Sequence, residues 1–411
     1  MDYELWIKIA IFAPMKSRFV YIIILLGAIF TLSACSDSID FPDLDTYESV
    51  AIVYWMGDNS LSTSYDNVQA DINELVAGKD NIPANSKIII YADKQNVLPV
   101  IYQLDAQNGL QVWKQFTVEE DCTDSLTMQT NLKNIIQAFP AKKYGLIFGA
   151  HGTGMEIRER QHRAIGKDVS HNGNWMNLPT LRGVLEQLPH MSYIFFDVCF
   201  MQSIEVAYEL RKEADWIIGS PAEIPGPGAP YHILTKALCE GDAFGIVEGY
   251  DGYYPSNGYE GTLLSVIKCN ELENLAAATN VYIKEAFAER QTISSTQAGK
   301  IQKYSSQFSA FTYCYDIKSA MANILSSEDY SLWAEAFENA VPLHKYNSGR
   351  WTSSWYTFSE RLCNNPTIYD SEHFGGVSMY IPQEGSDGEI KNSNLRQYQW
   401  YKDAGWSETG W

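Results

Sequence analysis

The sequence predicts an α/β fold: a mostly parallel β-sheet flanked by helices, with a helical C-terminal extension. Three observations carry this. Residues 49–220 alternate short apolar runs with amphipathic helical patterns, the rhythm of parallel strands joined by crossover helices. Two of those apolar runs end on residues that can do chemistry, His151 and Cys199. From Leu263 onward helical periodicity dominates, and no internal repeat occurs.

Taken in order, residues 49–56 form a β-branched run that stops at the turn Gly57-Asp58-Asn59. Residues 66–77 place Val68, Ile72, Leu75 and Val76 on one helical face. Asp66, Asp71 and Glu74 at that helix start read as caps or solvent-facing charges. Lys-Ile-Ile-Ile-Tyr-Ala at 87–92 predicts a buried strand, and 99–104 with 110–116 an antiparallel hairpin around Gln107-Asn108-Gly109. A helix over 126–139 leads to a strand at 144–148. A helix over 178–188 carries Pro179 in its first turn and precedes a strand at 193–198. A helix over 203–212 and a strand at 216–219 complete the series. Residues 221–262, rich in Pro, Gly and Tyr, read as substrate-facing loops, with a soft boundary near 260. Beyond it, 271–290, 317–324 and 330–340 are helical and 376–381 strand-like.

The 411 residues carry 50 acidic and 30 basic side chains, a formal net charge of −20. That balance argues against a nucleic-acid partner, which requires cationic surface. The seven cysteines form no CxxC pair, so zinc-ribbon and thioredoxin-type readings fail. The apolar stretch 19–32, preceded by Lys16 and Arg18, is short for a membrane span and suits the core of a signal peptide. Leu32-Ser33-Ala34-Cys35 resembles a bacterial lipobox, in which the Cys35 sulfur is lipidated and the chain cut before it. The alternative is an uncleaved anchor helix beginning near Trp6. Met15 opens a conventional signal, so 1–14 reads as a mis-called start. The expected division is therefore signal peptide 1–34, lipidated tether 35–48, core 49–260 and C-terminal helical subdomain 261–411. The expected location is outside the cytoplasm, membrane-anchored at the outer membrane or cell surface.

In open parallel sheets, ligands bind beyond the carboxyl ends of the strands. His151 stands there, followed by Gly152-Thr153-Gly154, a base beside backbone that can approach closely. Its alternative is a structural His in a glycine turn. Cys199 follows Ile194-Phe195-Phe196-Asp197-Val198 and precedes a helix, a position that can favour a thiolate. Its alternative is a buried apolar Cys. Together the two fit nucleophilic catalysis.

The pattern resembles the clostripain family of cysteine peptidases, which have a caspase-like fold. The resemblance rests on Tyr54-Trp55-Met56-Gly57-Asp58-Asn59-Ser60-Leu61 with Asp71-Ile72-Asn73-Glu74-Leu75, on Ala150-His151-Gly152-Thr153-Gly154, and on the segment from Asp197 through Cys199 to Leu210. Gly219-Ser220-Pro221-Ala222-Glu223-Ile224-Pro225-Gly226 and Gly376-Val377-Ser378-Met379-Tyr380-Ile381-Pro382 extend it, so it covers about 49–405. Two departures fall near substrate-binding loops. Gly228-Ala229-Pro230-Tyr231 stands where the family often has Gly-Trp before the Tyr, and Met155 where it often has Trp.

The resemblance implies a cysteine endopeptidase with Cys199 as nucleophile and His151 as general base and acid, working through a thioester acyl-enzyme. By the same analogy the N–H groups of Gly152 and Cys199 form the oxyanion hole. Asp197 is expected to face the pocket for the residue on the acyl side of the cleaved bond, with Glu223 as a second pocket carboxylate. A carboxylate there would select Arg or Lys; the alternative for Asp197 is a structural role satisfying loop N–H groups. Partners are then a peptide or protein substrate and a membrane held through the N-terminal lipid. No cofactor and no metal site is identified, although the resemblance admits calcium; no Asp-x-Asn-x-Asp-Gly loop occurs. His162, His171, His190, His344 and His373 read as surface or packing residues. The basic segment 155–168 offers Arg158, Arg160, Arg163 and Lys167 as sites of self-cleavage. Rival readings are a catalytically silent binding lipoprotein and a cysteine hydrolase of non-peptide amides.

Overall fold

Every one of the nine residues of β1 (Ser49–Gly57) is buried, because both faces of this strand are covered. Alternate residues serve opposite sides. Val50, Ile52, Tyr54 and Met56 enter one apolar cluster; Ala51, Val53 and Trp55 enter the other. The computed structural model describes residues 46–63, 65–155, 157–158, 161–162, 164–257, 262–288, 300–304, 314–346, 370–381 and 392–409.

The further strands of the main sheet are β2 (Ser86–Lys94), β3 (Val97–Asp105), β4 (Gly109–Gln115) and β5 (Tyr144–Gly149). A small hairpin, β6 (Ile165–Asp168) and β7 (Asn174–Met176), lies outside it. The main sheet resumes with β8 (Met191–Asp197), β9 (Ala214–Gly219) and β10 (Leu263–Lys268). Strand β11 (Cys314–Asp316) stands apart, and β12 (Leu343–Tyr346) closes the main sheet. Among the described residues this sheet has nine strands in the order β12-β10-β9-β8-β5-β1-β2-β3-β4. Strands β2, β1, β5, β8 and β9 run parallel; β3 and β4 at one edge and β10 and β12 at the other are antiparallel. The fold is a mixed α/β sheet flanked by helices, like that of caspase-like peptidases.

Helices α1 (Asn67–Ala77), α5 (Tyr231–Glu240) and α6 (Ala243–Ser256) cover one face. The other is covered by α2 (Ser125–Ala138), α3 (Leu178–Leu185), α4 (Ile204–Leu210), α7 (Leu272–Ala286), α8 (Ile317–Ile324), α9 (Ser327–Ala340) and α10 (Gln399–Asp403). Side-chain caps start several of them: Asp66 accepts from the Gln69 N–H at 3.0 Å, Asp124 from Thr127 at 2.9 Å and Asn177 from Thr180 at 2.8 Å. No described helix is long and apolar enough to cross a membrane.

Two expectations are corrected. The region 221–262 is not all loop: α5 and α6 fill much of it. Gly245, Gly249, Gly252 and Pro255 hide the helical signal of α6. What holds that helix is burial of Ile246, Val247, Tyr250 and Tyr254. Second, the chain beyond 260 supplies β10 and β12 to the main sheet. The strand-like 376–381 is present as β13 (Ser378–Tyr380), which pairs with β11 outside that sheet.

Candidate active site

Strands β5 and β8 are parallel neighbours, with Phe148 opposite Phe196 and Gly149 opposite Asp197. His151 lies two residues beyond Gly149 and Cys199 two beyond Asp197. The register thus delivers both to the same carboxyl edge of the sheet.

The loops that carry them interlock. A Cβ on Gly152 would lie 2.3 Å from Val198 Cγ1 and 2.7 Å from the Cys199 carbonyl oxygen. Gly154, at φ +69°, brings its Cα side against the Phe200 carbonyl, 2.6 Å from where a Cβ would stand. Phe200 itself has φ +63°, an unusual conformation for a bulky residue. Its N–H donates to the Ala222 carbonyl at 2.9 Å, which draws in the Ser220–Glu223 segment. Sequence reasoning did not find this turn, since nothing about Phe marks a left-handed position.

Gly152 forms a bridge with Ile165, flanked by the bonds Gly166 N–H to His151 O (2.8 Å) and Thr153 N–H to Ala164 O (3.0 Å). In such a bridge the central residue turns its own N–H away from the partner strand. His151 Nε2 meets the Ser60 hydroxyl at 2.9 Å. Burial, reinforced by the Lys167 charge, lowers the His151 imidazole to about 4. Cys199 is partly exposed, and its sulfur receives the Ile224 N–H at 3.4 Å. Burial and the Glu223 carboxylate push its thiol up to about 12, against that N–H. At neutral pH the pair therefore rests as thiol and neutral imidazole.

Asp197 is only 3% exposed. Its Oδ2 accepts from the Ala229 N–H and the Tyr231 hydroxyl, each at 3.0 Å. The Tyr250 hydroxyl faces it without hydrogen-bond geometry to Oδ1. Burial raises this carboxyl to about 6, with the two donors opposing. Asp197 thus organises the Ala229–Tyr231 turn. Beside that turn lies a small depression of about 50 Å³ lined by Glu74, Pro227, Gly228, Ala229, Pro230, Tyr253 and Tyr254. Glu223 is half-buried, close enough to Cys199 to affect its thiol. Of the α1 acids, Asp66 caps as expected, but Asp71 is 1% exposed and held above its ordinary value, first by burial and then by Asp197. Glu74 faces His232 Nδ1 at 3.3 Å.

The C-terminal segments brace this edge. Ser378 N–H donates to Gln202 O at 2.9 Å, Tyr380 N–H to Glu205 at 2.8 Å, and Tyr398 hydroxyl to Met155 O at 2.9 Å.

The sequence pattern of the clostripain family matches residues 53–411. The chain belongs to the clostripain family. As a clostripain-family member it is a cysteine peptidase, a hydrolase of peptide bonds. It is similar to a secreted C11 cysteine protease from Bacteroides thetaiotaomicron in complex with an irreversible peptide inhibitor: 29% identity, TM-score 0.74, 88% of this chain and 99% of that one. An inactive zymogen C11 protease from Parabacteroides distasonis gives 26% identity and TM-score 0.73 over 87% and 98% of the two chains. A second secreted Bacteroides thetaiotaomicron protease, at 21% identity and TM-score 0.72 over 87% and 99%, shares the fold. No curated protein matches.

Calcium is the ion that the clostripain resemblance admits. Among the described residues, two donor groups have metal-ligand spacing: Asp93–Cys122–Asp168 and Asp121–Asp168–His171. Neither is an all-oxygen set, so neither fits the hard oxygen cage that calcium takes. His171, expected to be a surface or packing residue, joins the second group through Asp168, 3.0 Å from its Nδ1. His190 contacts Asp215 and His373 contacts Asp370. The side chain of His162 and all of residues 1–45, Cys35 included, lie outside the described residues.

Proposed function

We propose that this peptidase works through a Cys199–His151 dyad and a thioester acyl-enzyme. The observation that carries the reading is the interlock of the two loops, Gly152 seated against the Cys199 backbone at the ends of adjacent parallel strands. Cys199 Sγ attacks the peptide carbonyl as its proton passes to His151, and His151 then protonates the leaving amine. Water, deprotonated by His151, releases the acyl group. The N–H groups of Gly152 and Cys199 stabilise the oxyanion. A neutral imidazole is the form a general base needs, and burial keeps His151 in that form. The raised Cys199 thiol disfavours the thiolate in the resting site.

Activation by cleavage within 155–168 fits that resting state; the Parabacteroides relative is described as an inactive zymogen. Arg or Lys on the acyl side of the cleaved bond is the preferred residue, recognised by the carboxylates of Asp197 and Glu223. Export fits the relatives described as secreted. For this chain we place the anchor at a lipidated Cys35, to be tested by lipid labelling of wild type and Cys35→Ala. The dyad is tested with a thiol-directed peptide probe and with turnover. Cys199→Ala should abolish both; His151→Ala should cost at least about a thousandfold in kcat/KM. Undiminished turnover in either variant removes the assignment.

A further inference from the structure

Four buried side chains meet behind the loop that carries His151, and the catalytic chemistry uses none of them. Asp58 follows β1, Asp93 lies near the end of β2, Cys122 precedes α2 and Asp168 ends β6. All four are 0% exposed. Ligand atoms of Asp93, Cys122 and Asp168 all lie within 4.8 Å of one another.

Their hydrogen bonding is unequal. Asp168 is well supplied: Oδ2 accepts from the Cys122 N–H at 3.0 Å, and Oδ1 accepts from the His171 N–H at 2.9 Å. Asp58 Oδ2 accepts from the Ser170 N–H at 2.9 Å, while its Oδ1 has no hydrogen-bond partner. Asp93 is the anomaly. Neither of its oxygens has a partner of hydrogen-bond geometry; the Cys122 thiol beside it lowers its carboxyl against burial and the neighbouring charges. Glu119, at the rim, adds another buried oxygen without a partner. The charges that bear on Asp93 are Glu119, Asp168 and Asp58, all of its own sign. His171, on Asp168, is the basic side chain bonded to the group.

Burying one carboxylate without compensation costs several kcal/mol, and here several share one dry space. Protons or a cation can relieve this. Protons have a visible share, since burial raises Asp93 to about 8. A cation would relieve it more completely, because it supplies each oxygen with a partner. The donor set narrows the choice. A thiol among carboxylates, with an imidazole adjoining, suits a first-row ion of borderline softness; calcium and magnesium avoid sulfur.

We propose that Asp93, Cys122 and Asp168 form a buried transition-metal site of the zinc class, with Asp58 as its outer carboxylate. Binding exchanges the Cys122 S–H proton, and any carboxyl proton present, for the metal bond; those protons leave to solvent. The site is a clamp rather than a catalytic centre. Asp58 O accepts from the Val169 N–H at 2.8 Å, Asn59 Nδ2 donates to Lys167 O at 2.8 Å, and Gly166 N–H donates to His151 O at 2.8 Å. A metal fastening Asp93 and Asp168 would therefore pin both sides of the His151 loop.

The test uses the full chain carrying Cys199→Ala, so that the catalytic thiol cannot bind metal. Protein purified with zinc and then desalted should retain about one metal per chain by elemental analysis. Cys122→Ser and Asp93→Asn, each in that background, should retain none. Replacement by cobalt(II) should give a thiolate-to-cobalt charge-transfer band that Cys122→Ser lacks. If a variant fails to fold, the cobalt band and a chelator-induced fall in melting temperature, both measured with the ligands intact, decide the matter. A folded protein that holds no metal would overturn the proposal and leave the cluster to protons. Retention of calcium with no cobalt–thiolate band would overturn it too.

Discussion

The Ser60 hydroxyl lies 2.9 Å from His151 Nε2, tying the turn after β1 to the proposed general base in the loop after the neighbouring strand β5. One ring nitrogen is thereby held, and with it the plane of the imidazole. Ser60→Ala should lower kcat about tenfold with KM little changed, the worth of one hydrogen bond of ~1.4 kcal/mol. Steady-state kinetics on a peptide substrate provide the check, and an unchanged kcat would sink the positioning role.

Gly152→Ala should be far more severe. The new Cβ cannot coexist with Val198 Cγ1 and the Cys199 carbonyl at their present distances. Separation of the loops should cost at least about a hundredfold in kcat/KM, with overpacking strain of about 1–3 kcal/mol. Activity and thermal melting read the two effects separately; wild-type activity would show that the loops do not need this contact.

Stability should depend on pH in a defined sense. Burial raises Glu205 to about 7 and Asp197 to about 6. Between their unfolded values near ~4 and those values, the folded state holds more protons than the unfolded one. Their contribution is therefore full at low pH and is lost as pH rises through 6 to 7. His151, lowered to about 4, acts oppositely: the unfolded chain takes up its proton first, and stability falls as pH drops from ~6.5. Two raised carboxyls outweigh one lowered imidazole, so melting temperature should be highest at pH ~4, decline as pH rises to about 7, and level off above it. Glu205→Gln should flatten that decline; a midpoint that climbs as pH rises from about 5 to about 7 contradicts the scheme.

For specificity, a library read as relative kcat/KM should show Arg ahead of Lys in wild type. Asp197→Asn should reduce that preference about tenfold or more, since a charged hydrogen bond is worth about 1.5–3 kcal/mol. An apolar or acidic preference in wild type removes the basic-pocket proposal and leaves the dyad standing. An Arg preference unchanged in the variant transfers the role to Glu223.

Tyr398→Phe removes the donor to the Met155 carbonyl, a bond linking the C-terminal region to the His151 loop. The expected loss is about 1 kcal/mol of stability together with faster hydrogen exchange around Met155. Unaltered exchange there would mean that the C-terminal region does not brace the site.

The parallel core was legible because its strands are continuous apolar runs and its helices carry caps such as Asp66, Asp124 and Asn177. His151 and Cys199 were legible because each follows such a run. What escaped detection depends on contacts distant in sequence. Helix α6 is rich in glycine and is held by burial. Strand β10 is recognisable only once β9 is there to pair with it. Asp71 looks like a solvent-facing helix acid until the sheet covers it. The Asp93–Cys122–Asp168 group is drawn from three separated segments, and no spacing rule would assemble it. The left-handed Phe200 has no local signature at all.

The order of strands has a consequence for a chain opened between 158 and 164. Strand β5 belongs to the first fragment and β8 to the second, yet the two are hydrogen-bonded neighbours in the middle of the sheet. The nick would divide the polypeptide and leave the particle whole, giving two bands in denaturing gels and one species in solution. Separated halves would each present an unpaired strand edge and half of the active site. They should therefore regain activity by complementation when produced together, and aggregate when produced alone.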